Sequence, residues 1–106
     1  MEKVKEFRAR VYFLKPEEGG RTMPIVSGYR PVICLAAPDG TGERFDSLVT
    51  LEGDKQALPG EERLVRIRFW SPGLPDGALK RDAAFELSEL ARAVGRGTIL
   101  EVLPEA

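Results

Sequence analysis

Eleven arginines stand against five lysines in a chain that has no histidine and a single cysteine. These counts decide which chemistry is open. Arginine is the side chain of bidentate carboxylate and phosphate recognition. Arg66, Arg68, Arg92 and Arg96 form a basic stripe if their segments lie side by side; alternating arginines on a strand also serve simply as its solvent face. Arg21 and Arg30 lie in the stretch "EEGGRTMPIVSGYRP" (Glu17–Pro31). They either pair with Glu17, Glu18 or Glu43 or reach out to a ligand. Without histidine, Ser-His-Asp and Cys-His mechanisms and most zinc sites drop out. Glu17 with Glu18, and Glu61 with Glu62, are adjacent carboxylates. Neighbours on an extended strand face opposite ways, so neither pair suits acid–base work. Cys34 lies in the apolar run "VICLAA" with no basic neighbour in sequence to lower its pKa, so it is expected to be buried and unreactive. Trp70 fits either rim packing or a stacking platform for a base. No catalytic constellation, metal set or cofactor motif emerges.

The elements that position these residues are short. The 106 residues make one domain, large enough to bury about 65% of its unfolded surface. Eleven glycines and eight prolines punctuate the whole length. Between them, Phe7–Leu14 alternates with Phe7, Ala9, Val11 and Phe13 on one face. Pro31–Ala37 is continuously apolar, Arg44–Leu51 reads as a weaker strand, and Gly97–Leu103 closes the chain. In Arg63–Trp70, Val65, Ile67 and Phe69 alternate with Arg66, Arg68 and Trp70. Short strands between Gly/Pro turns indicate an all-β barrel or sandwich. Leu58–Arg63 reads as a turn into a strand, and Pro72–Asp82 as a longer excursion. Asp82–Val94 conflicts with this picture: Leu87, Leu90, Ala91 and Val94 have helical spacing, with Asp82 as a cap. The net charge of −1 calls for neither nucleic acid nor membrane. The charged start "MEKVKEFRAR", the absence of a 20-residue apolar run and the lone cysteine point to a cytoplasmic protein.

The motif "GGRTMPIVSGYRP" (Gly19–Pro31), following the strand "VYFL" (Val11–Leu14), resembles the C-terminal β-barrel domain, the third domain, of elongation factor Tu. That family has G-G-R-x-x-P-x-x-x-G-Y-R-P at this place. The similarity continues in order. "PDGTG" (Pro38–Gly42) sits at a turn ending in T-G. "LPGEERLVRI" (Leu58–Ile67) is similar to M-x-P-G-D before a β-branched strand. "AFELSELARAVGRGTILEVL" (Ala84–Leu103) is similar to F-x-I-R-E-G-G-R-T-V-G-x-G-V-V-x-x-V-L. The likeness spans about Phe7 to Leu103. It implies a closed antiparallel barrel of about six strands, standing free of the factor's other domains. With no G-x-x-x-x-G-K-[ST] in the chain, no nucleotide is expected.

The resemblance also implies a function. The family's barrel receives the T-stem of aminoacyl-tRNA on the side of this loop and of the E-G-G-R turn. Residue by residue, the RNA-binding candidates are Arg21, Thr22, Thr41, Glu89 and Leu90, with Arg92 and Arg96 assisting. Gly19, Gly20, Gly28, Tyr29, Arg30 and Pro31 are the positions that hold the loop, with the Tyr29 hydroxyl expected on a backbone partner. Several contacting positions differ: Thr22 replaces a histidine, Val32 a polar residue, Leu90 and Ala91 the two glycines, and Ala93 a threonine. The resemblance implies strand, turn, strand over Asp82–Val94, with strand at Phe85–Leu87 and from Val94 onward in place of a helix; Leu90 and Ala91 favour a short helical turn near 88–92 over the family's glycine turn. The expectation is a non-enzymatic binding module whose ligand is tRNA or another RNA through weakened contacts. The alternative is a module that engages translation-related proteins without RNA.

Overall fold

The computed structural model describes residues 4–36, 42–70 and 79–104. The strands are β1 (Val4–Phe13), β2 (Ile25–Val26), β3 (Val32–Ala36), β4 (Gly42–Leu51), β5 (Gln56–Ala57), β6 (Glu62–Trp70), β7 (Ala84–Glu89) and β8 (Arg92–Val102), with one 3₁₀ turn at Pro16–Glu18. Six of them close a barrel in the order β1-β6-β4-β3-β7-β8, and β8 returns to pair with β1. Every pairing is antiparallel, so the expected six-stranded closed barrel is the observed fold. β2 and β5 make a small separate ladder, Ile25 opposite Ala57.

Alternation explains the core. Phe7, Ala9, Val11 and Phe13 of β1 face inward with Val65, Ile67 and Phe69 of β6, all fully buried. Phe7 meets Phe85 edge-on at 5.4 Å between ring centroids and Phe69 at 6.0 Å. Such pairs add about 0.5–1.5 kcal/mol each beyond their burial. The Phe85 ring needs room, and β8 supplies it with a glycine: a Cβ on Gly97 would lie 2.3 Å from Phe85 Cζ.

The segment with helical spacing is strand. Ser88 pairs with Ala93 and Glu89 with Arg92, so Leu90–Ala91 is a two-residue hairpin turn. This corrects the helical turn near 88–92, while the strands that the resemblance implies for Phe85–Leu87 and from Val94 onward are observed in place of the helix that spacing alone suggests. Leu87 and Val94 sit on opposite arms of the hairpin and meet the same core, so cross-strand packing wins over local helix propensity. Asp82 caps nothing: it sits in a turn at φ +70°, its N–H donating to Ile99 O at 2.7 Å.

Cys34 is also corrected. In β3 only Ile33 and Leu35 turn to the core, and Cys34 is half-buried on the outer face, opposite Arg44 of β4 and Glu86 of β7. A continuous apolar run signals burial on both faces in an open parallel sheet, but a small barrel has one inside face.

Candidate binding site at the hairpin edge

Two chain segments build the site. The first is the loop from Lys15 to Pro31. Gly19 ends the 3₁₀ turn at φ +93°. Gly20 then passes so close to Leu14, just after β1, that a Cβ there would lie 2.1 Å from Leu14 O, which only glycine permits. The chain runs through Arg21–Pro24 into β2. It then turns at Val26–Tyr29, where Tyr29 N–H donates to Val26 O at 3.1 Å and Gly28 has φ +94°. Tyr29 bridges to Val49 of β4, and Pro31 O accepts from the buried Ser47 hydroxyl at 2.8 Å. These bonds press the Tyr29 ring, partly buried, against the core.

The second segment is the β7–β8 hairpin, and Glu89 joins the two. One of its carboxylate oxygens, Oε2, accepts from both the Arg21 guanidinium and the Tyr29 hydroxyl. Arg92 approaches the other, Oε1, at 3.6 Å. The Arg21 guanidinium also lies over the Tyr29 ring, 4.9 Å from its centroid. Burial works against a charged Glu89, but the hydrogen bonds from Tyr29 and Arg21 outweigh it and hold the carboxyl below its ordinary value. Burial raises the Tyr29 phenol well above its ordinary value, and the bond to Glu89 raises it further. At neutral pH the cluster is therefore a carboxylate, a guanidinium and a neutral phenol.

The hairpin tip is unusual. Leu90 has φ +56° and its side chain is 93% exposed. This first turn position is where a type II′ turn takes glycine. Arg44 Nη2 donates to Leu90 O at 3.2 Å, so the turn is held from its flank as well as from its base.

The sequence-derived candidates divide. Arg21, Glu89, Leu90 and Arg92 come together at this edge, and Thr22 is exposed next to Arg21. Thr41 lies outside the described residues. Arg96 is elsewhere: it stands four residues along β8 from Arg92, about 13 Å, across from Glu86 and Tyr12 on the outer wall. The proposed pairing of Arg21 with Glu17 or Glu18 is replaced by Glu89, and the Tyr29 hydroxyl takes this carboxylate rather than a backbone group. The four-arginine stripe does not form. Arg66 and Arg68 share Glu6 at 3.9 and 3.4 Å on the far side of β1. Between them and β8, Arg8 is clamped by Glu52 at 2.9 and 3.0 Å.

Arg44 and the linking role of Tyr29 were missed. One signal for the hairpin was present: Glu89 and Arg92 carry opposite charges on either side of two residues, as across-strand partners do.

A family model described as the elongation factor Tu C-terminal domain matches residues 1–103. The chain belongs to the elongation factor Tu C-terminal domain family. Within it, the Lys15–Pro31 loop and the β7–β8 hairpin are joined by Arg21, Tyr29 and Glu89, and the hairpin tip carries leucine. Among the described residues no group of three His, Cys, Asp or Glu side chains is arranged to hold a metal. No helix among them is long and apolar enough to cross a membrane.

Proposed function

We propose that this barrel is a non-enzymatic, cytoplasmic recognition module of the translation apparatus, and that its hairpin edge binds a protein rather than tRNA. The observation that carries this reading is the commitment of Arg21. Its guanidinium is bonded to Glu89 and stacked on Tyr29. A phosphate contact by Arg21 would have to break an ion pair whose side chains are only 24% and 29% exposed. The tip itself offers an aliphatic side chain, which neither donates to phosphate nor stacks on a base. The net charge of −1 adds no long-range attraction for a polyanion.

The test is affinity purification of the tagged barrel from its source cells, with bound RNA sequenced and bound protein identified from the same eluate. Retention of a translation-related protein that survives RNase is expected. An eluate dominated by tRNA, with proteins lost on RNase treatment, would overturn the reading.

A further inference from the structure

We infer that Leu90 is the anchor of this interface: a rigid, pre-strained apolar knob that inserts into an apolar pocket rimmed by carboxylates on the partner protein. The inference rests on the protein-binding reading above and names the residue and the partner's chemistry.

Strain, exposure, order and charge at the tip support it. Leucine at φ +56° is disfavoured, because its Cβ crowds the following carbonyl, and a glycine would relieve this at no loss of buried surface. Its side chain gains almost no packing inside the molecule, Leu90 being 93% exposed, the highest value among the large hydrophobic residues described. Strain held in place by surrounding bonds, at a site that gains no packing from it, marks a functional position. The tip is also ordered before any partner arrives. Glu89 fixes its base through Arg21, Tyr29 and Arg92, and Arg44 fixes its carbonyl. A knob held this way loses little freedom on binding, as interface anchors require.

Charge identifies the rim. Arg92 beside the tip is 55% exposed, Arg44 donates to it, and Arg44 shares a surface depression with Arg30, Asp46 and Trp70. Glu89, next to the tip in sequence, is already neutralised by Arg21 and Arg92. The tip thus presents one apolar group within a cationic surround, on a chain whose total charge is negative. A carboxylate-edged pocket complements both features. Met23 extends the apolar contact: it is 64% exposed, and its carbonyl accepts from Arg21 Nε at 3.5 Å, which ties it to the same cluster.

The experiment uses the whole barrel immobilised in four forms: wild type, Leu90→Gly, Leu90→Asp and Leu64→Ser. Leu64 is an exposed leucine on the outer face of β6 and serves as the control. The probe is RNase-treated total protein of the source cells, quantified by mass spectrometry. The expected result is a defined protein retained equally by wild type and Leu64→Ser. Its retention falls about tenfold or more with Leu90→Gly, and further with Leu90→Asp, which meets the partner's carboxylates. Leu90→Gly should melt no lower than wild type. Retention unchanged by Leu90→Gly would overturn the anchor while leaving the protein-binding reading intact. Retention of tRNA alone from an untreated extract, or of no protein by the wild type, would overturn both. A lower melting temperature for Leu90→Gly would show that the leucine serves the fold and would also overturn the anchor.

Discussion

At the residue scale, Glu89 decides the character of the site, because one carboxylate joins the Lys15–Pro31 loop to the β7–β8 hairpin and pairs with Arg21. Its pKa is lowered in the folded protein, so its contribution is present above the ordinary value of 4.5 and is lost as pH falls through the folded value. Acid titration of stability, followed by circular dichroism, should therefore show a loss below about pH 4.5 that Glu89→Gln reduces. Tyr29 acts in the opposite direction. Its pKa is raised, so its contribution is complete below the ordinary value of 10.0 and is lost as pH rises above it. Tyr29→Phe should cost about 1.5–3 kcal/mol at neutral pH, the worth of a hydrogen bond to a charged group. It should also remove part of the alkaline loss seen in wild type. Glycines provide a second contrast. Gly97→Ala drives a Cβ into the Phe85 ring, which can shift, and should cost roughly 1–3 kcal/mol. Gly20→Ala drives one into the Leu14 carbonyl, which is backbone, so chemical denaturation should rank it as the more damaging.

At the element scale, the β7–β8 hairpin shows both what sequence reading reaches and where it fails. The alternation in β1 and β6 names the inward residues directly, because one face of each strand is apolar and the other charged. In Asp82–Val94 the same residues satisfy two periods. Leu87 and Val94 are buried as across-strand neighbours, while Leu90 and Ala91 carry helix propensity into a turn that propensity does not govern. Resemblance to the family resolved the strands, but not the turn, because the glycines that would signal it are absent. The cluster was half legible. Arg21 and Glu89 were both singled out, yet nothing in a linear sequence brings residues 68 positions apart to one hydrogen bond. Cys34 misled because burial was inferred from its neighbours rather than from its face. The hairpin carries its own prediction: Leu90→Gly should raise stability by about 1 kcal/mol, the strain of a left-handed leucine, less the extra freedom glycine gives the unfolded chain. Denaturant midpoints at constant m would read this directly.

At the scale of the whole molecule, charge is dispersed in local pairs rather than gathered into a field. Arg8 with Glu52, Arg10 with Glu62, Arg66 and Arg68 with Glu6, and Arg21 with Glu89 each quench a cation close to its partner. Exposed pairs of this kind add little to stability, but each of these arginines already faces a carboxylate. The barrel thus keeps its family's architecture, and at the edge that the family resemblance assigns to RNA, Arg21 is paired with Glu89. The most direct test is a titration of fluorescently labelled tRNA with the purified barrel, followed by anisotropy from low to physiological salt. The expected result is no saturable binding at physiological salt, and at low salt only weak binding that Arg21→Ala leaves unchanged. Tight, tRNA-selective binding at physiological salt would contradict it, above all if its salt dependence, at about 0.7–0.9 log units per phosphate contact, dropped by one contact in Arg21→Ala.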